Sequence, residues 1–379
     1  MLGTVRKRVV ILGAGFGGLE LSTLLSERLA DAVDVTLLDR SDSFTFGFSK
    51  LDILFGGQTS DEARLPYREL AMPGVEFRQE TVVSIDPAQR RVVTDAATYD
   101  ADYLVVALGA DYDRAATPGF VEGGYEYYSI AGAERLRDAL PSFDGGRILL
   151  AVLSIPFKCP PAPYEGILLL HDYLVDRGIR EVSQMHLITP QPAPIPVSAE
   201  ASAAVERTMA DRGIRYTKRH RVYGIDPATR VAHLKDHDEP FDLFIGIPVH
   251  KVPDVLTDAG LTENGWVRVD PYTLRTPFPG VFAIGDCAET GIPKAGVFAE
   301  SAARAVAEAI SADVRGGEAP PFDGAGLCFV EFGGGEVGRV DVNFRAKGGP
   351  SAPLLGPAAM YAQEKAEFGS VRRARWFGL

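Results

Sequence analysis

The chain has 379 residues and predicts an α/β fold: two doubly wound parallel-sheet domains followed by a small C-terminal α+β segment. Three observations lead there. Residues 7–12 (KRVVIL) are an apolar, β-branched run that enters a glycine-rich turn and then a helical pattern, the opening of a βαβ unit. A second strand–turn–helix alternation begins at Arg147. Far downstream, residues 281–286 (VFAIGD) form another apolar strand, which ends on Gly-Asp ahead of a long helical stretch. Alternation of this kind specifies parallel strands covered by helices.

In chain order, the strand at 7–12 precedes a helix over Leu19–Leu29 and a strand Val33–Leu38 that ends at Asp39. Residues 80–86 and 90–94 read as a hairpin ending near Tyr99, and Tyr103–Ala107 as a buried strand. A short helix covers 131–140. The second unit has a strand at 147–152, a proline-rich turn, a helix over 164–177, a strand at 185–188 and a helix at 198–212 capped by Ser198. Strands near 214–217, 221–225 and 230–234 lead to the buried run Phe241–Ile247. Residues 267–284 hold a strand, the turn PFPG and the strand VFAIG, and a long helix spans 296–312. After a linker at 313–324, the tail carries strands near 326–332 and 337–343, a Gly/Pro-rich loop and a helix near 358–374. Residues 1–112 and 243–315 therefore form one domain in two parts. Residues 113–242 form the second domain, and 316–379 the C-terminal segment.

Composition narrows the function. Asp plus Glu number 51 against 39 Lys plus Arg, a formal charge of -12, so there is no electrostatic footprint for nucleic acid. No apolar run approaches the roughly 18–20 residues of a membrane span. The three cysteines, Cys159, Cys287 and Cys328, are too few and too scattered for a disulfide framework, and no pair has metal-ligand spacing, so no metal is expected. The first apolar run leads straight into the glycine turn, which reads as a core strand rather than an export signal. The expected location is cytoplasmic, with peripheral contact to the cytoplasmic membrane face as a variant.

Gly13, Gly15 and Gly18 form G-x-G-x-x-G between a strand and a helix, with Phe16 and Gly17 inside the turn and acidic Asp39 closing the next strand. Glycines let a pyrophosphate approach the backbone at a helix N-terminus, where amides and dipole favour negative charge, and the acid accepts from an adenosine ribose. The segment Thr276–Asp286 resembles the second FAD motif of the pyridine nucleotide–disulfide reductase-like flavoproteins, in which the Asp holds the ribityl chain. Ala107-Leu108-Gly109 resembles the turn under their cofactor. The resemblance implies FAD on two Rossmann-like domains. Arg40, Val82, Gly285 and Asp286 join the expected cofactor set. Lys50 in residues 46–52 (FGFSKLD) and Lys294-Ala295-Gly296 ahead of the long helix are assigned to it as well. Asp286 also reads as a helix N-cap, and both lysines also read as surface residues.

Most such flavoproteins carry a second glycine turn for NAD(P)H. Here there is no glycine from Arg147 through Glu165, and Pro156, Pro160, Pro161 and Pro163 stiffen the turn around Cys159. Lys158-Cys-Pro-Pro-Ala-Pro-Tyr-Glu165, with the FAD motifs and one late cysteine, resembles the sulfide:quinone oxidoreductases and the flavin subunit of flavocytochrome c sulfide dehydrogenase. That resemblance implies two cysteines facing the isoalloxazine, matching Cys159 and Cys328. It also implies attack on sulfide sulfur and two electrons passed to FAD. Local chemistry points the same way: a helix N-terminus and Lys158 would lower the Cys159 thiol pKa, and Glu165 in the first helical turn could shuttle protons. Packing is the plainer role for Cys159 and Cys328, and complementing the helix dipole the plainer one for Glu165; for Cys287 packing is the favoured role. Many quinone-linked members carry a further cysteine earlier in the chain, and residues 111–140 contain none.

The implied partners are a small-molecule sulfur donor and, as acceptor, a quinone or an electron-carrier protein; oligomerisation is left open. Residues 364–379 (EKAEFGSVRRARWFGL) are basic and aromatic, which suits a membrane foothold or the mouth of a quinone site built with Phe329 and Trp376. The plainer reading is a terminal helix docked by Trp376. Two alternatives stand. One is an NAD(P)H-dependent flavin reductase of the type II NADH:quinone reductase kind, which the missing glycines oppose. The other is a non-enzymatic FAD-bound scaffold, in which Cys159 and Cys328 would lie far from the ring.

Overall fold

The structure, a computed structural model, describes residues 6–379; residues 1–5, where the expected first domain begins, lie outside the described residues. A five-stranded parallel sheet runs in the order Val281–Ala283, Tyr103–Val106, Lys7–Leu12, Val33–Asp39, Val75–Gln79. Alternation along the first strand explains its continuous apolar run. Val9 and Ile11 pack under the helices Phe16–Leu29 and Gly296–Arg315, while Val10 and Leu12 pack against Ile85, Val92 and Leu256 on the other face. The edge strand Val75–Gln79 escaped the sequence reading because it is only half covered and alternates with Glu76 and Arg78. The expected hairpin is a three-stranded meander, Val82–Asp86, Arg91–Thr94 and Thr98–Asp100.

The second parallel sheet is ordered Ile214–Lys218, Ser183–Thr189, Gly146–Val152, Leu243–Ile247. Helix Ala199–Asp211 starts at Ser198, whose side chain accepts from Ala201 N, as expected. One expected boundary is corrected. Leu243–Ile247 pairs with Gly146–Val152, so the second domain extends beyond residue 242. The chain then crosses between domains on a short antiparallel ribbon, Asp111–Asp113 with Val249–Lys251.

The C-terminal segment is a three-stranded antiparallel sheet, Ala325–Gly333, Glu336–Asn343 and Leu354–Ala358, followed by the helix Met360–Phe377. The third strand lies where a loop was expected. Val330, Phe332 and Val340 join the same core as Tyr164 and Ile167 of helix Ala162–Asp176. The terminal helix returns to the first domain, where Trp376 is fully buried beside Phe16, Phe44 and Phe46. This segment therefore clamps both parallel-sheet domains along their shared cleft. No helix among the described residues is long and apolar enough to cross a membrane.

Candidate active site

The glycine turn is built for close backbone approach. A Cβ on Gly13, which sits at φ +101°, would lie 2.4 Å from Ala107 O, and one on Gly18 only 1.9 Å from Gly13 O. Gly15 instead has open space before it and is the N-cap of Phe16–Leu29, so no side chain competes for the first helical amides. Asp39 holds the turn against the second strand: Ala14 N donates to Oδ2 at 2.7 Å and Ser41 N to Oδ1 at 2.8 Å.

Two cavities meet at this turn. Gly13, Asp39, Arg40, Val82 and Leu108 line one. Phe16, Gly17, Lys50, Gly285, Asp286, Ala295 and Gly296 line the other, with Cys159 and Glu165. Gly15, Ala107 and Gly109 line both, so the space is continuous in the manner of an extended dinucleotide. Asp286 Oδ1 is buried without a hydrogen-bond partner among the described residues, an acceptor aimed at a hydroxyl-bearing ligand. Burial also raises the Asp286 pKa, against Lys158, Lys294 and Lys50 nearby. Lys50 is no surface lysine: burial, and then Lys158, lower its pKa to about 8. The continuous cavity, the uncapped helix amides at Gly15 and the unpartnered Asp286 oxygen fit an extended dinucleotide such as FAD.

Cys159 sits three residues ahead of helix Ala162–Asp176, in a left-handed conformation with φ +51°. Its N–H donates to Lys294 O at 2.7 Å and its carbonyl accepts from Ala162 N at 2.9 Å. A β-carbon in that conformation costs roughly 1–2 kcal/mol, which these bonds offset. The side chain is exposed, opening onto the cavity that also holds Asp286. One expectation fails here. Although Cys159 has surface open to that cavity, the protein packed around the cavity desolvates its thiol; this, then Glu165 and Cys328, push the thiol above the usual range, and the Ala162 amide does not compensate. Lys158 is occupied elsewhere: its ammonium donates to Ala110 O at 2.6 Å and lies 4.2 Å from the centre of the Tyr112 ring. The cation that opposes the Cys159 shift is Lys365.

Cys328 is half-buried on Ala325–Gly333 and lines a separate, apolar cavity. Burial, then Glu165, push its thiol up to about 12. Cys287 is fully buried, its Sγ donating to Ile284 O at 3.3 Å; it packs the core as expected. All three are free thiols.

Glu165 is 5% exposed, and its Oε1 accepts from Glu331 N at 3.1 Å. Burial raises its pKa to about 7, with Lys365 opposing and Glu331 and Asp52 reinforcing. Lys365, on the terminal helix, is ion-paired to Glu331. Against burial, the acids Glu165, Glu331 and Asp52 hold its ammonium above the ordinary range. This cluster was not foreseen. Its members come from four segments spread over three hundred residues, and no spacing in the sequence joins them.

Three expected site residues stand elsewhere. Lys294 is buried with its ammonium 3.6 Å from the Trp266 ring centre and 3.4 Å from Ala288 O, so it does not line the cavity of Ala295 and Gly296; its carbonyl instead positions Cys159. Trp376 is core, its Nε1 donating to Glu20 at 3.1 Å, and cannot face an acceptor or a membrane. Phe329 lies edge-on to Phe368, which meets the cavity-lining Phe48, so it reaches the site only through these rings. The basic tail is also turned inward: Arg372 pairs with Glu300, and Arg375 with Glu20 and Glu27.

The sequence matches the family described as pyridine nucleotide-disulphide oxidoreductase over residues 7–150 and 177–309. The interruption falls on the segment of Cys159 and Glu165. The chain is 26% identical over 356 residues to the sulfide-quinone reductase of Aquifex aeolicus, covering 86% of this chain and 81% of that protein. It is 31% identical over 134 residues to the type II NADH:quinone oxidoreductase of Staphylococcus saprophyticus, covering 35% and 33%. The fold is similar to that of the Aquifex aeolicus sulfide:quinone oxidoreductase, with a TM-score of 0.85 at 24% identity over 97% of this chain and 91% of that one. With both parallel-sheet domains matched, the chain belongs to the pyridine nucleotide-disulphide oxidoreductase family, as an oxidoreductase similar to the sulfide:quinone oxidoreductases.

Proposed function

We propose that the chain binds FAD and oxidises sulfide, or a related small thiol or persulfide, through Cys159 and Cys328, delivering two electrons to a quinone. The observation that carries this reading is the sharing of one cavity by Cys159, Glu165 and the Gly285-Asp286 turn. When bound, FAD supplies the two-electron relay. Gly13, Gly15 and Asp39 hold its adenosine end, and Asp286 its ribityl hydroxyls. Lys50 and the N-terminus of Gly296–Arg315 offer positive potential at the flavin end of the cavity.

Because both thiols are pushed upward, each rests protonated near neutral pH, and a base must take the proton before sulfur exchange. Glu165, balanced near pH 7, is the base at hand, and Lys365 steadies its ionised form. Hydrosulfide and a cysteine thiol together give a persulfide, HS⁻ + Cys–SH → Cys–S–SH + H⁺ + 2e⁻: an S–S bond forms, the thiol S–H bond breaks with its proton leaving through Glu165, and bound FAD would take the two electrons.

The test is anaerobic mixing of the yellow holoenzyme with sulfide and, separately, with NADH while flavin absorbance is followed. Sulfide bleaches the flavin and NADH does not. Cys159→Ser keeps its FAD and loses the sulfide response; bleaching of that variant at the original rate would refute the cysteine mechanism. Bleaching by NADH alone would favour the type II NADH:quinone oxidoreductase reading.

A further inference from the structure

The turn that carries Cys159 is tied to segments distant in the chain. Cys159 N donates to Lys294 O at 2.7 Å, and the Lys158 ammonium donates to Ala110 O at 2.6 Å. The Lys158 N–H donates to His250 Nε2 at 3.3 Å. Of these ties, the last has a side chain as its acceptor, so a substitution can remove it without touching the backbone. His250 lies on the ribbon that crosses between the two parallel-sheet domains, where it pairs with Tyr112.

The imidazole is fixed in tautomer, orientation and charge. A carbonyl can only accept, so the 2.8 Å contact with Pro248 O puts the proton on Nδ1 and leaves Nε2 a lone pair for the Lys158 N–H. Tyr112 and Tyr128 meet the ring edge-on, with ring centres 5.0 and 5.6 Å away. Burial, then Lys158, lower its pKa to about 3, and Lys294 and Lys50 act in the same direction. Protonation would add a cation beside these lysines and turn Nε2 into a donor facing an N–H.

We infer that His250 is a positioning residue for Cys159: as a neutral acceptor it fixes the Lys158 amide, and with it the left-handed turn that presents the thiol to the cavity shared with Asp286. The effect on rate rests on the sulfide reading above. A histidine bonded to the residue before a reactive thiol invites another role, that of general base. The structure opposes it. Both ring nitrogens are engaged, and the residue is 6% exposed. The ring stands behind Tyr112, Tyr128 and Lys158, which line the cavity of Cys159 while His250 does not. Cys159 sits at φ +51°, a conformation that persists only where surrounding bonds over-determine it. Without the His250 acceptor the Lys158 N–H is left unpaired, and the turn relaxes towards a geometry that supplies a partner.

His250→Gln and His250→Leu separate the two roles, each variant studied as holoenzyme with FAD content and melting temperature as the check on folding. The glutamine amide oxygen reaches about as far as Nε2 and accepts, yet it is no base near neutral pH; leucine fills the space and accepts nothing. In the leucine variant the Lys158 amide should exchange its hydrogen at least about tenfold faster than in the parent. Flavin bleaching at saturating sulfide should slow at least about tenfold, with the half-saturating sulfide concentration within about twofold. Iodoacetamide labelling of Cys159, normalised to Cys328, should depart from the parent by at least about fivefold. The glutamine variant should return all three to within about threefold of the parent and keep its pH dependence. A glutamine variant as slow as the leucine one, with its Lys158 amide still protected, would make His250 a base and overturn the inference. Parental exchange and labelling in the leucine variant would overturn it too. If the leucine variant does not fold, the glutamine variant decides alone, since a lost base abolishes its bleaching and a kept acceptor preserves it. If sulfide fails to bleach the parent flavin, the proposed function falls, and amide exchange with Cys159 labelling decides the positioning by itself.

Discussion

Replacing Glu165 by Gln tests the charge balance of the site through stability. The folded protein holds the Glu165 proton up to about pH 7, whereas an unfolded glutamate releases it near 4.5. Burial is the main cause, because Glu165 is only 5% exposed. Below about pH 4.5 both states are protonated and the group contributes nothing to the difference. Between 4.5 and 7 the unfolded chain ionises first, so stability falls as pH rises. Above 7 the loss is complete. A gap of about 2.5 pH units at 1.36 kcal/mol each is about 3 kcal/mol. Gln keeps an oxygen for the Glu331 N–H and carries no charge, so Glu165→Gln escapes this loss. With an unfolding entropy of roughly 2.1 cal/mol/K per residue across the chain, the variant should melt about 4 °C above the parent at pH 8 and level with it at pH 4.5. Thermal unfolding of the two holoenzymes at several pH values measures this. A difference that stays constant with pH, or shrinks as pH rises, would refute burial as the cause. Sulfide-driven bleaching should lose its inflection near pH 7 in the same variant.

Lys365→Met removes the cation shared by Glu165, Glu331 and Asp52. It should move the pH–rate inflection above 7 and cost roughly 3–5 kcal/mol at pH 8, much less at pH 5, read by denaturant unfolding. Gly18→Ala drives a Cβ into Gly13 O, so the purified protein should be colourless; normal FAD content would mean the turn can open. Trp376→Ala should cost about 3–5 kcal/mol while leaving the quinone KM unchanged. A raised KM at unchanged stability would restore Trp376 to an acceptor site.

Features that depend on local backbone chemistry were legible in the chain. Gly13 and Gly18 must be glycine because a Cβ at either collides with backbone, and that requirement is written in residue identity. The strands at 7–12 and 146–152 announce themselves because their runs 9–12 and 148–152 are covered on both faces and every position there is apolar. The glycine-free turn around Cys159 was legible for the same reason. By contrast, Val75–Gln79 and Leu354–Ala358 are partly exposed edge strands whose mixed patterns resemble loops.

The sequence by itself determined the parallel-sheet class, the dinucleotide cradle and the candidacy of Cys159 and Glu165, since each rests on neighbours within a few residues. Tertiary structure decided the electrostatics and the compartments. It raised the Cys159 thiol pKa that a local helix-dipole argument had lowered, because desolvation by the surrounding protein outweighs one helix amide. It brought Lys365 from the terminal helix to Glu165, buried Trp376 and turned Lys294 towards Trp266. It also placed Cys159 and Cys328 on separate cavities. Desolvation and charge pairing depend on which distant segments pack together, and that information is spread over the whole chain rather than held in any one stretch of it.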